Sequence, residues 1–122
     1  PGYQCPLCSV QVGDFLGKAK SFTSAGAKVV LIYPGPAENL AEYAKEFMGK
    51  RTLPEGFELL VDPDFTFTNA YNLRWDAPRE TAYPSTFLID KEGKIRFAKI
   101  SKTHGDRTRA KDVLAEVGKL TR

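Results

Sequence analysis

The apolar positions of this chain change their period several times between residues 8 and 120, and each change marks an expected element. Val12, Phe15, Leu16, Ala19 and Phe22 recur at helical spacing, so one helix is expected over 8–25, with Gly26 as its stop. Gly13 and Gly17 fall inside it and weaken its intrinsic preference for helix. The run Val29-Val30-Leu31-Ile32, framed by Lys28 and Tyr33, is short and continuously apolar, as in a buried parallel strand, and Pro34-Gly35-Pro36 is expected to end it. Leu40, Tyr43, Ala44 and Phe47 give one apolar face to a second helix over 37–48. A loop over 49–56 leads to a short strand within 57–62, carrying Glu58-Leu59-Leu60-Val61.

Pro63 then opens a short helix with Phe65, Phe67, Ala70 and Tyr71, and an irregular loop over 72–82 follows. Ser85-Thr86-Phe87-Leu88-Ile89 and Lys94-Ile95-Arg96-Phe97-Ala98 read as strands. Asp90-Lys91-Glu92-Gly93 joins them, with Gly93 where a positive φ is expected, so they form a hairpin. Val113, Leu114, Val117 and Leu120 face inward on a last helix over 110–120. The order helix, β, α, β, α, β, β, α is that of one layered α/β domain spanning 1–122, with mixed strand directions.

Composition changes this picture little. With 42% apolar and 27% charged residues, 122 residues suffice for a single core. Net charge is +3, and the basic residues gather toward the C-terminal part (Lys91, Lys94, Arg96, Lys99, Lys102, Arg107, Arg109, Lys111) among Asp90, Glu92, Asp106 and Asp112. They read as solvated strand and helix surfaces rather than a docking face for an acidic partner. No nucleic-acid motif accompanies them, so no nucleic-acid partner is expected. No apolar run approaches the ~20 residues that a membrane helix needs, and no signal-peptide pattern is present, so no membrane association is expected. The chain starts at Pro1 rather than Met, and we read it as N-terminally trimmed or incomplete. A cytoplasmic setting is expected; a periplasmic one is compatible with the cysteine usage.

That usage carries the chemistry. The two cysteines stand close together, as Cys5-Pro6-Leu7-Cys8. A bridge enclosing so short a loop adds little stability, because loop-closure gain grows with loop length, so reversible redox exchange explains the pair better. Both sulfurs fall at or near a helix N-terminus, where the dipole and unpaired N–H groups favour a thiolate. A zinc site would need four ligands, and the one histidine, His104, is far along the chain, so no metal is expected. Only four residues precede Cys5, too few for a strand aiming this helix, and that strand is expected upstream.

The Cys-Pro-x-Cys pair opening a helix, Tyr83-Pro84-Ser85-Thr86 leading into Phe87-Leu88-Ile89-Asp90, and the closing hairpin and helix together resemble the thioredoxin fold. Leu60-Val61-Asp62-Pro63-Asp64 running on to Asn69-Ala70-Tyr71-Asn72-Leu73 is similar to the insertion of its peroxiredoxin branch, the alkyl hydroperoxide reductase/thiol-specific antioxidant (redoxin) family. That family also spaces a proline, a threonine and its peroxidatic cysteine as Pro1, Cys5 and Cys8 are spaced here. The resemblance implies a thioredoxin-like fold, a mixed central sheet flanked by helices, lacking its N-terminal strand in this chain. It implies a thiol-dependent oxidoreductase acting on hydroperoxides or protein disulfides, without bound cofactor or metal. Electrons would come from a thioredoxin-like or small-thiol donor, and a homodimer is left open.

Two departures bear on the chemistry. Ordinary peroxiredoxins keep an arginine just before the Phe-Leu-Ile-Asp strand, whereas Pro84 stands here, as in thioredoxins, whose proline is cis; a cis bond is expected at Pro84. Cys5 occupies the threonine position, and Arg74 and Arg79 are candidates to supply the missing cation. A thioredoxin-like mechanism makes Cys5 the nucleophile; a peroxiredoxin-like one makes Cys8 the attacker and Cys5 the resolving thiol. The substrate-contacting candidates are Pro84, Tyr3 and Gln11, each with a plain structural reading beside it: a strand start, a core cap, a solvated helix residue. Trp75 reads mainly as packing and His104 as a loop residue. Disulfide exchange without peroxidase activity, and a non-catalytic binding module, are the alternatives.

Overall fold

The computed structural model describes residues 6–77, 80–103 and 105–120. Helix α1, Pro6–Gly17, begins at a proline whose fixed φ and missing N–H suit a first turn. The single helix expected over 8–25 is in fact two. Lys18 (φ −108°, ψ 16°) parts α1 from α2, Ala19–Ser24, and the Lys18 N–H bonds back to the Phe15 carbonyl at 3.1 Å. With Gly13 and Gly17 in α1, propensity alone does not hold a longer helix straight. Packing uses the break: the Phe15 and Phe22 rings stack at 5.5 Å, and Phe22 meets Phe57 edge-on at 6.2 Å. Gly26, at φ +78°, turns the chain after α2 as expected.

Strand β1, Val29–Gly35, pairs in parallel with β2, Phe57–Pro63, placing Val29 opposite Phe57 and Gly35 opposite Pro63. β1 continues through Pro34, where a stop was expected. Proline lacks only the ladder donor, and its carbonyl remains usable. Helix α3, Leu40–Met48, makes the crossover between the two strands and starts later than the expected residue 37, because Asn39 is left-handed (φ 59°). Its Leu40 and Ala44 bury against Tyr33 of β1, with Tyr43, Phe47 and Leu59 around them. Helix α4, Thr66–Ala70, is capped from outside itself. The buried Asp62 carboxylate accepts the N–H groups of Phe67 and Thr68 and the Thr68 hydroxyl, each at 2.7 Å.

The hairpin is where the sequence placed it. Strand β3, Ser85–Ile89, runs antiparallel to β4, Ile95–Ile100, with Ser85 opposite Ile100 and a register shift at Leu88/Ile89. Gly93 has the anticipated positive φ, +82°. Asp90 Oδ1 accepts the N–H groups of Glu92 and Lys94 at 2.9 and 3.0 Å, and its Oδ2 accepts Arg96 Nε at 2.5 Å. Both pairing senses of a mixed sheet are thus present, in two separate ladders among the described residues. What joins them is side-chain packing. Helix α5, Ala110–Leu120, buries Ala110, Val113 and Val117 in one cluster with Phe15, Phe22 and Phe57, and Val29 of β1 and Leu88 of β3 both pack onto it. Among the described residues, no helix is long and apolar enough to cross a membrane.

Phe22 is 1% exposed at the centre of that cluster, so Phe22→Ala is expected to cost about 3–5 kcal/mol, read from the denaturant midpoint. Asp90 is held below its ordinary carboxyl value of 3.8, first by the Lys94 N–H and then by Arg96. A depressed folded value gives stability that is present above 3.8 and lost as pH falls through the folded value. The stability difference between the wild type and Asp90→Asn should therefore shrink toward zero in acid titrations of unfolding; a difference that stays constant with pH would refute this.

Candidate functional site around Cys8

Cys8 lies in the first turn of α1, half-buried, between the exposed Leu7 and Val10. Two arginines from distant parts of the chain meet this turn. Arg51, just beyond α3, donates Nη1 to the Ser9 carbonyl at 3.1 Å. Its Nε and Nη2 cap the end of α3, on the Met48 carbonyl at 3.1 Å and the Phe47 carbonyl at 2.6 Å. The second is Arg107, whose Nη2 donates to Sγ of the disulfide-bonded Cys8 at 3.0 Å. Its Nη1 donates to Gln11 Oε1 at 2.9 Å.

The segment that presents Arg107 is fastened on both sides. Upstream, the Ser101 hydroxyl donates to the Asp106 carbonyl, and Lys99 Nζ sits 2.9 Å from Asp106 Oδ1. Lys99, through its hydrogen bond and then its charge, holds the Asp106 carboxyl below the usual value. Downstream, Gln11 Nε2 donates to the Thr108 carbonyl at 3.1 Å, and Asp14 Oδ2 accepts the Ala110 N–H at 2.8 Å. Cys8, Gln11 and Asp14 are each three residues apart, so α1 lays them along one side, facing 107–110. Asp14 serves α5 as an N-cap borrowed from another helix. Arg107 is half-buried, and burial pulls its guanidinium below the ordinary arginine value. An arginine so shifted still carries its charge throughout the physiological range.

The expected site residues fare differently. Gln11 is brought to the sulfur, through Arg107 rather than by touching it. Cys5 and Tyr3, with Pro1, Arg79 and His104, lie outside the described residues. Pro84 stands at the mouth of β3, where its carbonyl accepts the Ser101 N–H at 2.9 Å. Its peptide bond is trans, against the cis form expected, and it runs straight into the β3–β4 ladder. Arg74 is not the missing cation: its Nη1 is committed to the carbonyls of Trp75, Glu80 and Thr81, and its guanidinium lies 4.0 Å from the Phe65 ring centroid. Trp75 stacks on Tyr83 at 4.9 Å. Arg107 was missed altogether, counted among solvated basic residues. The one hint was Gln11 lying a helical turn beyond Cys8. Among the described residues, no group of carboxylates, histidines and cysteines could hold a metal.

The sequence model of the AhpC/TSA family matches residues 1–98. The chain belongs to the AhpC/TSA family. Two Mycobacterium tuberculosis proteins, from different strains and each named "Putative peroxiredoxin", are 34% identical to it over 100 residues, 78% of this chain and 60% of theirs. The chain thus spans about 60% of the length of those curated relatives. Among solved structures, Enterococcus faecalis AhpC superposes with a TM-score of 0.70 at 19% identity, covering 96% of this chain and 68% of that one. The mitochondrial 2-Cys peroxiredoxin of Plasmodium falciparum gives 0.70 at 17%, covering 98% and 68%. Mycobacterium tuberculosis AhpC gives 0.72 at 17%, covering 93% and 61%. At those identities the likeness establishes a shared thioredoxin-like α/β fold.

If Asp14 caps α5, Asp14→Ala should lower stability by about 1 kcal/mol. The amides at the start of α5 should also gain hydrogen exchange more than those at its end; uniform exchange across α5 would count against the cap.

Proposed function

We propose that this chain is a thiol peroxidase domain in which Cys8 is the sulfur that attacks peroxide. The observation that carries this reading is the position of Cys8 within the matched family segment: half-buried, in the first turn of α1, with a cationic donor on its sulfur. A helix N-terminus favours the thiolate, which is the reactive form. The Cys8 thiolate attacks one oxygen of a hydroperoxide; an S–O bond forms as the O–O bond breaks. The departing oxygen leaves with the bonding electron pair and takes a proton, giving water or an alcohol. Sulfur is oxidised to the sulfenic acid and the peroxide is reduced. Cys5, separated from Cys8 by Pro6 and Leu7, then attacks the sulfenic sulfur as a thiolate. The S–S bond forms and the sulfenic oxygen leaves as hydroxide, protonated to water. A dithiol donor returns two electrons by exchange, restoring both thiols.

The Cys-x-x-Cys spacing itself supports a second reading, disulfide exchange with Cys5 attacking first. The two separate cleanly. We expect the reduced chain to consume hydrogen peroxide or an organic hydroperoxide with a dithiol donor, Cys8→Ser to abolish consumption, and Cys5→Ser to retain the first oxidation, trapped as a sulfenic acid by dimedone. Reduction of insulin disulfides with both peroxides untouched would overturn the peroxidase reading in favour of the second.

A further inference from the structure

We infer that the disulfide of Cys8 closes and opens while α1 stays folded, so the chain changes oxidation state without unwinding the helix that carries its sulfur. Cys8 is disulfide-bonded here, and the only other cysteine in the sequence is Cys5. Yet α1 is helical from Pro6 onward, through the bonded cysteine itself. Its ties to the rest of the fold are all made in this oxidised state. Arg51 Nη1 is on the Ser9 carbonyl at 3.1 Å, and Gln11 Nε2 is on the Thr108 carbonyl at 3.1 Å. Asp14 Oδ2 accepts the Ala110 N–H at 2.8 Å. A bond that demanded unwinding would hold the first turn open once formed and would pull these groups apart. The first turn of a helix has N–H groups without intrahelical acceptors, so a bridge reaching back from Cys8 to the residue before α1 displaces no helical hydrogen bond. Reduction removes one constraint and breaks none of these contacts, so the dithiol keeps the same helix.

A kinetic consequence follows, and it rests on Cys8 being the sulfur that attacks peroxide. The sulfenic acid formed on Cys8 has two fates. In one, the Cys5 thiolate attacks its sulfur; the S–S bond forms and the oxygen leaves as hydroxide, protonated to water. In the other, the sulfenate sulfur attacks a second hydroperoxide and takes one oxygen. The O–O bond breaks, sulfur is oxidised to the sulfinic acid, and the peroxide leaves as water or an alcohol. The first fate is intramolecular, so Cys5 acts at a high effective concentration, and with α1 folded it waits for no local opening. The second is bimolecular and grows only with peroxide. Over-oxidation is therefore the minor branch.

Hydrogen exchange reads the helix directly and needs no peroxide, so failure here is distinguishable from failure of the peroxidase reading. The whole chain is prepared as the dithiol with a phosphine reductant and as the disulfide with diamide. In an α-helix the amides of residues 10–13 bond to the carbonyls of 6–9. Their exchange rates, each taken relative to the amides of α5, should agree between the two forms to within about threefold. Faster exchange at 10–13 in the disulfide form by more than that would overturn the inference, because it would show the first turn opening to admit the bond. The second measurement supplies a hydroperoxide with a dithiol donor and follows Cys8 by mass spectrometry. Disulfide should build up well ahead of sulfinic acid; sulfinic acid appearing first would overturn the kinetic consequence.

Discussion

The constraint on which this molecule depends is that one helix must serve two masters. The apolar side of α1 supplies Phe15 to the main cluster, while its Cys8–Gln11–Asp14 line supplies polar groups to the segment entering α5. Both sides converge on the same neighbour, because α5 is fixed to α1 by Val113 and Val117 through the core and by Asp14 at its first turn. Burial sets the distance between the helices, and the hydrogen bonds set their register. Neither would suffice alone: apolar contact is non-directional, and a few net hydrogen bonds contribute only about 1 kcal/mol each. Together they locate a single guanidinium to within hydrogen-bonding reach of a sulfur.

Much of the fold was legible because its elements announce themselves by period or by turn chemistry. The hairpin and α5 are where Asp90-Lys91-Glu92-Gly93 and Val113, Leu114, Val117 and Leu120 placed them. The errors have local causes. Lys18 interrupts a periodic pattern that continues on either side of it, since Phe15 and Phe22 satisfy the same core from two helices as well as from one. Pro34 reads as a terminator in sequence, yet it pairs within the ladder, because a proline only removes a donor. Asn39 and Phe65 adopt left-handed conformations that nothing in a window of neighbouring residues requires.

The site was legible at one end only. Cys8 and Gln11 are local, and a helical turn relates them. Arg107 stands nearly a hundred positions away in a run of alternating charges, some of which form ion pairs with each other, as Arg96 does with Asp90 and Lys99 with Asp106. Nothing in its type or its neighbours marks it as the basic side chain of this run that reaches the sulfur. What distinguishes it is the path of the chain from Ser101 to Ala110, set by a hydroxyl, an ion pair and two side chains of α1. Such a path is a tertiary property, and it becomes visible only when both ends are in place.

Arg51 has a mechanical consequence of its own. One side chain closes the C-terminal end of α3 and also grips the carbonyl just after Cys8. The two helix ends consequently share a single latch. Fraying of either loosens the side chain that the other also holds through its remaining N–H groups, so unwinding at the sulfur-bearing end and loosening of the crossover helix are expected to be coupled.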